Sequence, residues 1–260
     1  MESRTLSVRG GMFTAELSVR GSGDPLLFLH GAGGLHEGAY LDQLGETFTV
    51  YAPSHPGFGA SEGIEHIDDV IDMAVYYHDF LDELGLDSVH VVGHSMGGML
   101  AAEIAALCSH RVRRLVLSNA VGFWRDEAPV LDFFTLGPDQ QLPYLWHNPQ
   151  SEALKEAFPT PGSQEDMIEM MFQRMQSYAS AGKFLWPIPD KGLKKRVHRI
   201  QAPTLIIWGE SDGLVPPVYA EDFRSAIKDS RVVILKECGH LPMFEQRDEF
   251  VSLVMEFLSA

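Results

Sequence analysis

Gly93-His94-Ser95-Met96-Gly97-Gly98 places a serine among glycines where an apolar run, Val89 to Val92, gives way to a helical stretch rich in small residues. A serine in so sharp a strand-to-helix turn lifts its Oγ above the sheet, and the flanking residues must be glycine because the turn crowds the backbone. The helix that follows aims its first N–H groups and the positive end of its dipole at any anion formed there. This is the setting of a nucleophile. Serine attacks poorly at its free pKa, so it needs a base and a group to orient that base. Of the eleven histidines, His240 in Glu237-Cys238-Gly239-His240 follows the last apolar strand, at the carboxyl edge where such sheets place their sites. It is the preferred base. His94 adjoins the serine, but its side chain is expected to leave in another direction, and His30, ending a strand, is expected to brace the next loop. For the orienting acid, Asp212 in Gly209-Glu210-Ser211-Asp212-Gly213-Leu214-Val215-Pro216 stands on a tight loop past the Leu205–Trp208 run, with Glu210 as its rival. The preceding strand ends Ser118-Asn119-Ala120, without a carboxylate. A carboxylate on His240 Nδ1–H would fix the tautomer and stabilise the imidazolium.

Acyl transfer charges the former carbonyl oxygen, so two backbone donors must await it. Met96 N–H, one past the serine, is the first. The second is assigned to Ala32 in His30-Gly31-Ala32-Gly33-Gly34, where three glycines in five residues let the backbone fold against a ligand. Other glycine and histidine motifs fail. Gly31 and Gly33 could open GxGxxG, but position 36 is His; there is no GxxxxGK[ST]; and His36-Glu37-Gly38-Ala39-Tyr40 is not HExxH. The proposed chemistry calls for no cofactor and no metal.

The elements needed to hold these residues are legible as alternating apolar runs and helical stretches. Leu26–Leu29, Val89–Val92, Leu115–Leu117 and Leu205–Trp208 are apolar on both faces, as strands of a parallel sheet buried between helices are. Thr5–Val8 and Thr14–Val19 alternate like strands near an exposed edge, and Arg231–Leu235 is a further strand. Ile67, Val70, Ile71, Ala74, Leu81 and Leu84 recur at helical spacing before Gly85, Met96–Cys108 is helical, and Glu245–Leu258 forms a closing helix. The fold class is therefore α/β, a mostly parallel central sheet with helices on both faces.

Residues 121–197 break the alternation, with no convincing strand and three of the four tryptophans. They form an expected helical insert between a first part of the core, 1–120, and a second, 198–260. Ser163 and Asp166 read as a capping box, followed by Met167, Met171, Met175 and Tyr178 at spacings of four, four and three. Such a stripe serves to glue the insert to the body or to roof an apolar pocket. Trp124, Phe134, Trp146, Met171 and Trp186, with Leu214 and Leu241 beside the acid and the base, are the candidate pocket residues.

Thirty-six acidic against twenty basic side chains leave a net charge of −16, which argues against nucleic acid as a partner. Two cysteines, Cys108 and Cys238, exclude a disulfide scaffold and fit a reducing compartment. The start, MESRTLSVRGGMFTAEL, lacks the apolar stretch of a signal peptide, and no run approaches a membrane span. A soluble cytoplasmic protein with a small-molecule substrate is expected.

Five landmarks in order, HGAGG, Pro56-Gly57-Phe58-Gly59-Ala60-Ser61, GHSMGG, GESDGLVP and the GHLPMFEQ segment from Gly239, make the chain resemble the α/β-hydrolase fold superfamily, in particular its cap-bearing serine members. The resemblance spans essentially the whole chain and implies a nucleophile at Ser95, a base at His240, an acid at Asp212 and an oxyanion hole at the Ala32 and Met96 amides. Epoxide hydrolases and haloalkane dehalogenases of this fold use Asp where Ser95 stands and are disfavoured. The resemblance then implies a carboxylic-ester hydrolase, with a hydrophobic ester and water as substrates. Carbon–carbon hydrolases of ring-cleavage products, enol-lactonases and perhydrolases are alternatives on the same residues, and a non-enzymatic small-ligand receptor is a rival of another class. The carbon–carbon group commonly has Trp after the histidine and an arginine reaching from the lid; here Leu241 follows His240, and the insert's arginines are Arg125, Arg174 and Arg196.

Overall fold

The computed structural model describes residues 2–188 and 190–260. Eight strands form one sheet: β1 (Glu2–Val8), β2 (Phe13–Arg20), β3 (Asp24–Leu29), β4 (Phe48–Pro53), β5 (Val89–His94), β6 (Val112–Ser118), β7 (Thr204–Gly209) and β8 (Ser230–Leu235). Their order is β1-β2-β4-β3-β5-β6-β7-β8. β1 and β2 pair antiparallel and β2 meets β4 antiparallel, while every other neighbouring pair is parallel. The two alternating N-terminal runs thus make the edge of an otherwise parallel sheet. All six residues of β5 and all six of β7 are buried, because helices cover both faces of the centre.

The pleat sorts β3 between two cores. Leu27 and Leu29 join one apolar cluster with Val91, Leu117 and the helices α2 (Val70–Glu83) and α3 (Met96–Leu107). Leu26 and Phe28 join the other with Val92, Val116, α1 (Ala39–Gly45) and α9 (Arg247–Ser259). Between β6 and β7 run α4 (Pro138–Leu145), α5 (Glu152–Ala157) and α6 (Gln164–Leu185), with no strand among the described residues there. α7 (Val218–Ala226) links β7 to β8, and the short α8 (Pro242–Glu245) precedes α9. Ser163 caps α6, its Oγ accepting Asp166 N–H at 3.1 Å.

Departures from the sequence reading have local causes. β4 is not among the strands expected from the sequence: Thr49 and Tyr51, both half-buried, interrupt the continuous apolar run that marks the other central strands. α1 and α7 are short helices of mixed composition. The expected single closing helix is broken at Gln246, whose φ of −130° and ψ of 49° are not helical.

The segment before β7 is tied to α3 by a buried charge. Glu103 on α3 has a fully buried side chain and accepts both Arg196 Nε, at 2.7 Å, and Arg196 Nη2, at 2.6 Å. The Arg196 guanidinium is itself largely covered. Removing one partner of such a pair strands the other charge in a low dielectric. Arg196→Leu is expected to cost about 3–5 kcal/mol in denaturant unfolding; a loss below about 1 kcal/mol would contradict this role.

Candidate active site

Ser95 sits between the end of β5 and the start of α3 with φ 55° and ψ −116°, a conformation that a non-glycine residue holds only when its surroundings force it. Those surroundings explain the glycines. A Cβ on Gly93 would strike the Gly97 carbonyl oxygen and lie 2.7 Å from Ala101 Cβ. One on Gly97 would strike the Leu29 carbonyl oxygen, and one on Gly98 would lie 2.5 Å from Ala120 Cβ. β3, β5 and α3 therefore close on each other only because these positions lack side chains.

His240 and Asp212 meet at the carboxyl edge. His240 Nδ1 lies 2.8 Å from Asp212 Oδ2, and both side chains are nearly inaccessible. Asp212 Oδ2 also accepts Asn119 Nδ2 at 2.7 Å, while Oδ1 accepts the Leu214 and Val215 backbone N–H groups at 2.9 Å each. Every neighbour of this carboxylate is a donor. Hence Nδ1 of His240 bears the proton and Nε2 is left with a lone pair, the form a general base needs. The rival Glu210 is exposed at the strand end. The loop carrying His240 is fixed from the insert: His240 N–H donates to Leu145 O at 2.7 Å, and a Cβ on Gly239 would come within 2.5 Å of that same oxygen. Glu245 accepts Gly239 N–H and His147 N–H at 2.7 and 2.8 Å.

His94 approaches the site more closely than its sequence position implies, with its ring 4.9 Å from that of His240. Burial first, and then the neighbouring His240, hold its pKa well below the ordinary histidine value. Ala32 and Met96 are buried, and their N–H groups have no acceptor among the described residues. Met96 is the first residue of α3, where N–H groups lack intrahelical partners.

His30 does brace the loop after β3, as its place in the sequence suggested. Its Nε2 accepts His55 N–H at 3.0 Å and its Nδ1 donates to Gly31 O at 2.7 Å. His55 Nε2 donates to His30 O at 2.9 Å, and Tyr77 OH bonds to His55 Nδ1. Burial chiefly holds His30 well below its usual pKa and brings His55 down to about 4. A depressed histidine pKa means that the unfolded chain binds the extra proton first. Stability therefore falls as pH drops from about 6.5 toward 4, by on the order of 2 kcal/mol at pH 5 for His55 alone. The melting temperature is expected to fall by at least roughly 4–8 °C between pH 7 and pH 5, and calorimetry finding no fall would contradict these assignments.

The candidate pocket residues divide. Leu214 and Leu241 are buried beside Asp212 and His240. Phe134 stacks on Phe133 at 4.2 Å, next to Tyr178. Trp146 is packed into the second core near Phe158, and Trp124 is half-buried with its Nε1 on Asp126. Met171 and Trp186 are 59% and 58% exposed, which does not suit a pocket wall. Met167 and Met175 are exposed as well, so of the stripe only Tyr178 packs against the body.

Several residues escaped the sequence reading. Asn119, past the end of β6, donates to Asp212; its φ of 48° turns the chain there. In the insert, Arg125 pairs with Asp222 and Glu127, and Arg196 with Glu103, whereas Arg174 has no carboxylate partner among the described residues. Arg174 instead donates to Gln141 Oε1 at 2.8 Å and to Tyr178 OH at 3.1 Å. Gln141 is held in that orientation because its Nε2 is engaged by Phe133 O and Leu136 O. His36, on the loop after β3, is brought down to a pKa of about 4 by burial and then by Arg174.

The family model described as alpha/beta hydrolase fold matches residues 24–246. The chain is 29% identical to a 2-hydroxy-6-oxononadienedioate/2-hydroxy-6-oxononatrienedioate hydrolase of Klebsiella pneumoniae, over 99% of this chain and 96% of the relative. It is 28% identical to Lipase 3 of a Moraxella species, over 94% of this chain and 80% of the relative. A solved meta-cleavage product hydrolase of Pseudomonas fluorescens superposes with a TM-score of 0.74 at 24% identity, over 98% and 97% of the two chains. Among the described residues no helix is long and apolar enough to cross a membrane.

Proposed function

The chain belongs to the alpha/beta hydrolase fold family and is a hydrolase, and from that premise we propose that it cleaves carboxylic esters of small hydrophobic substrates through an acyl-enzyme on Ser95. The observation that carries this reading is the donor-saturated Asp212 on His240 Nδ1, which leaves a base nitrogen at the edge where the strained serine stands. Ser95 Oγ attacks the ester carbonyl carbon while His240 Nε2 takes its proton. The new oxyanion is held by the Ala32 and Met96 N–H groups. The C–O bond to the alcohol breaks as His240 returns the proton to it, and water, deprotonated by the same nitrogen, releases the acid. Residues 121–197 act as a cap, and Leu214, Leu241 and Phe134 supply apolar contacts for the acyl part.

Arg174 favours a second reading, hydrolysis of a carbon–carbon bond in a ring-cleavage dienoate. A guanidinium without a carboxylate partner, next to the His36 loop, suits a substrate that brings its own carboxylate. Two names among the relatives fit one reading each. Purified protein assayed on 4-nitrophenyl esters of graded chain length and on a 2-hydroxy-6-oxo-dienoate separates them. Ester hydrolysis predicts the higher kcat/KM on an ester, with Arg174→Gln changing its KM less than about threefold. A dienoate preferred by more than tenfold, with KM raised at least tenfold by Arg174→Gln, would replace the ester reading by the second.

A further inference from the structure

The buried chain Tyr77–His55–His30 lies behind the loop that carries one of the two unpaired amides, and none of its members is needed for proton transfer. Its hydrogen bonds have a single consistent direction. The His55 N–H can only donate, so His30 Nε2 accepts; Gly31 O can only accept, so His30 Nδ1 bears the proton. His30 O can only accept, so His55 Nε2 bears the proton and its Nδ1 accepts from Tyr77 OH. The three side chains are almost fully buried, and the two imidazole centroids are 3.8 Å apart. The chain ends on the Gly31 carbonyl, which also accepts Gly34 N–H at 3.2 Å. That carbonyl shares a planar trans peptide with Ala32 N–H, so the two point in opposite directions. Pinning the oxygen from behind aims the N–H forward. Drawing electron density onto the oxygen also strengthens the N–H as a donor.

We propose that Tyr77, His55 and His30 are positioning residues that aim and polarise the Ala32 amide toward the developing oxyanion. The inference rests on the serine-hydrolase reading above, with Ala32 as an oxyanion donor. Removing the relay's far end lets His55 turn or change tautomer, frees His30, and lets the Gly31–Ala32 peptide rock. Such a change weakens the transition state and leaves the binding of the uncharged substrate as it was.

The test compares wild type with Tyr77→Phe, His55→Gln and His55→Leu on 4-nitrophenyl butyrate, with phenylboronic acid as a probe of the tetrahedral adduct. Tyr77→Phe removes one oxygen and is expected to lower kcat about tenfold, with KM within twofold of wild type and boronate affinity down by the same factor as kcat. His55→Leu is expected to lose roughly 10²-fold in kcat. His55→Gln, whose amide can still donate to His30 O, is expected to recover at least a third of the wild-type value on a logarithmic scale. If His55→Leu does not fold, Tyr77→Phe and His55→Gln decide the matter. Unchanged kcat and boronate affinity in Tyr77→Phe would overturn the inference, as would a loss expressed wholly in KM. Ser95→Ala, assayed alongside, keeps the two levels apart: if it turns over the ester like wild type, the hydrolase reading itself fails, whereas an inactive Ser95→Ala beside a fully active Tyr77→Phe removes only the relay.

Discussion

Ser95→Ala is expected to lower kcat on any turned-over ester by at least ~10³-fold, with substrate binding little altered. The reasoning is local. Residue 95 is held at φ 55° by the contacts of Gly93, Gly97 and Gly98 with β3, β5 and α3, and the methyl of alanine fits where the serine Cβ already stands. The variant therefore keeps the turn and the two amides and loses only the oxygen proposed to attack. What remains is the modest acceleration from the amides and from holding the substrate. Progress curves on 4-nitrophenyl butyrate measure this, with circular dichroism to establish that the fold is intact. Turnover within tenfold of wild type would remove the nucleophile from the account.

Asp212→Asn is expected to cost ~10³- to 10⁴-fold in kcat. All four groups around the carboxylate are donors: two backbone N–H groups on Oδ1, and His240 Nδ1 with Asn119 Nδ2 on Oδ2. An amide must put its own NH2 against one pair. The backbone N–H groups of Leu214 and Val215 cannot turn, so the amide oxygen takes their side and its NH2 faces His240. Nδ1 must then become an acceptor, which moves the proton to Nε2 and abolishes the base. Size barely changes, but the NH2 also meets the Asn119 Nδ2 donor and that buried hydrogen bond is lost, so the melting temperature is expected to fall by a few degrees while activity falls by orders of magnitude. An Asp212→Asn enzyme with more than a tenth of wild-type kcat would show that the tautomer of His240 does not limit the reaction.

The candidate site residues stand out in the chain where glycine, strand and helix signals constrain the backbone. Gly93 and Gly97 announce the elbow, and the apolar run before them announces a strand buried on both faces, as β5 is. The Gly31–Gly34 cluster announces a loop open to a ligand. Asn119 was not legible, since its task depends on a partner 93 residues away and nothing local marks an amide that donates to a carboxylate. The same holds for His55 and Tyr77, which meet His30 only because β3, α2 and the loop after β4 converge. Helical periodicity misled at Met171 and Met175: it established that α6 is a helix with an apolar stripe, but a stripe reports which residues share a face and not what that face meets. Arg174 was in view as one of three arginines, and only the tertiary fold gives the other two carboxylate partners.

Covalent capture of Ser95 asks whether its hydroxyl is the nucleophile. Intact-protein mass spectrometry after treatment with a fluorophosphonate, followed by peptide mapping, is expected to find one adduct per chain. That adduct should lie on the peptide containing Ser95, form at least ~10²-fold more slowly in Asp212→Asn, and be absent from Ser95→Ala. Stoichiometric labelling at another residue, or none on a catalytically active sample, would contradict the account.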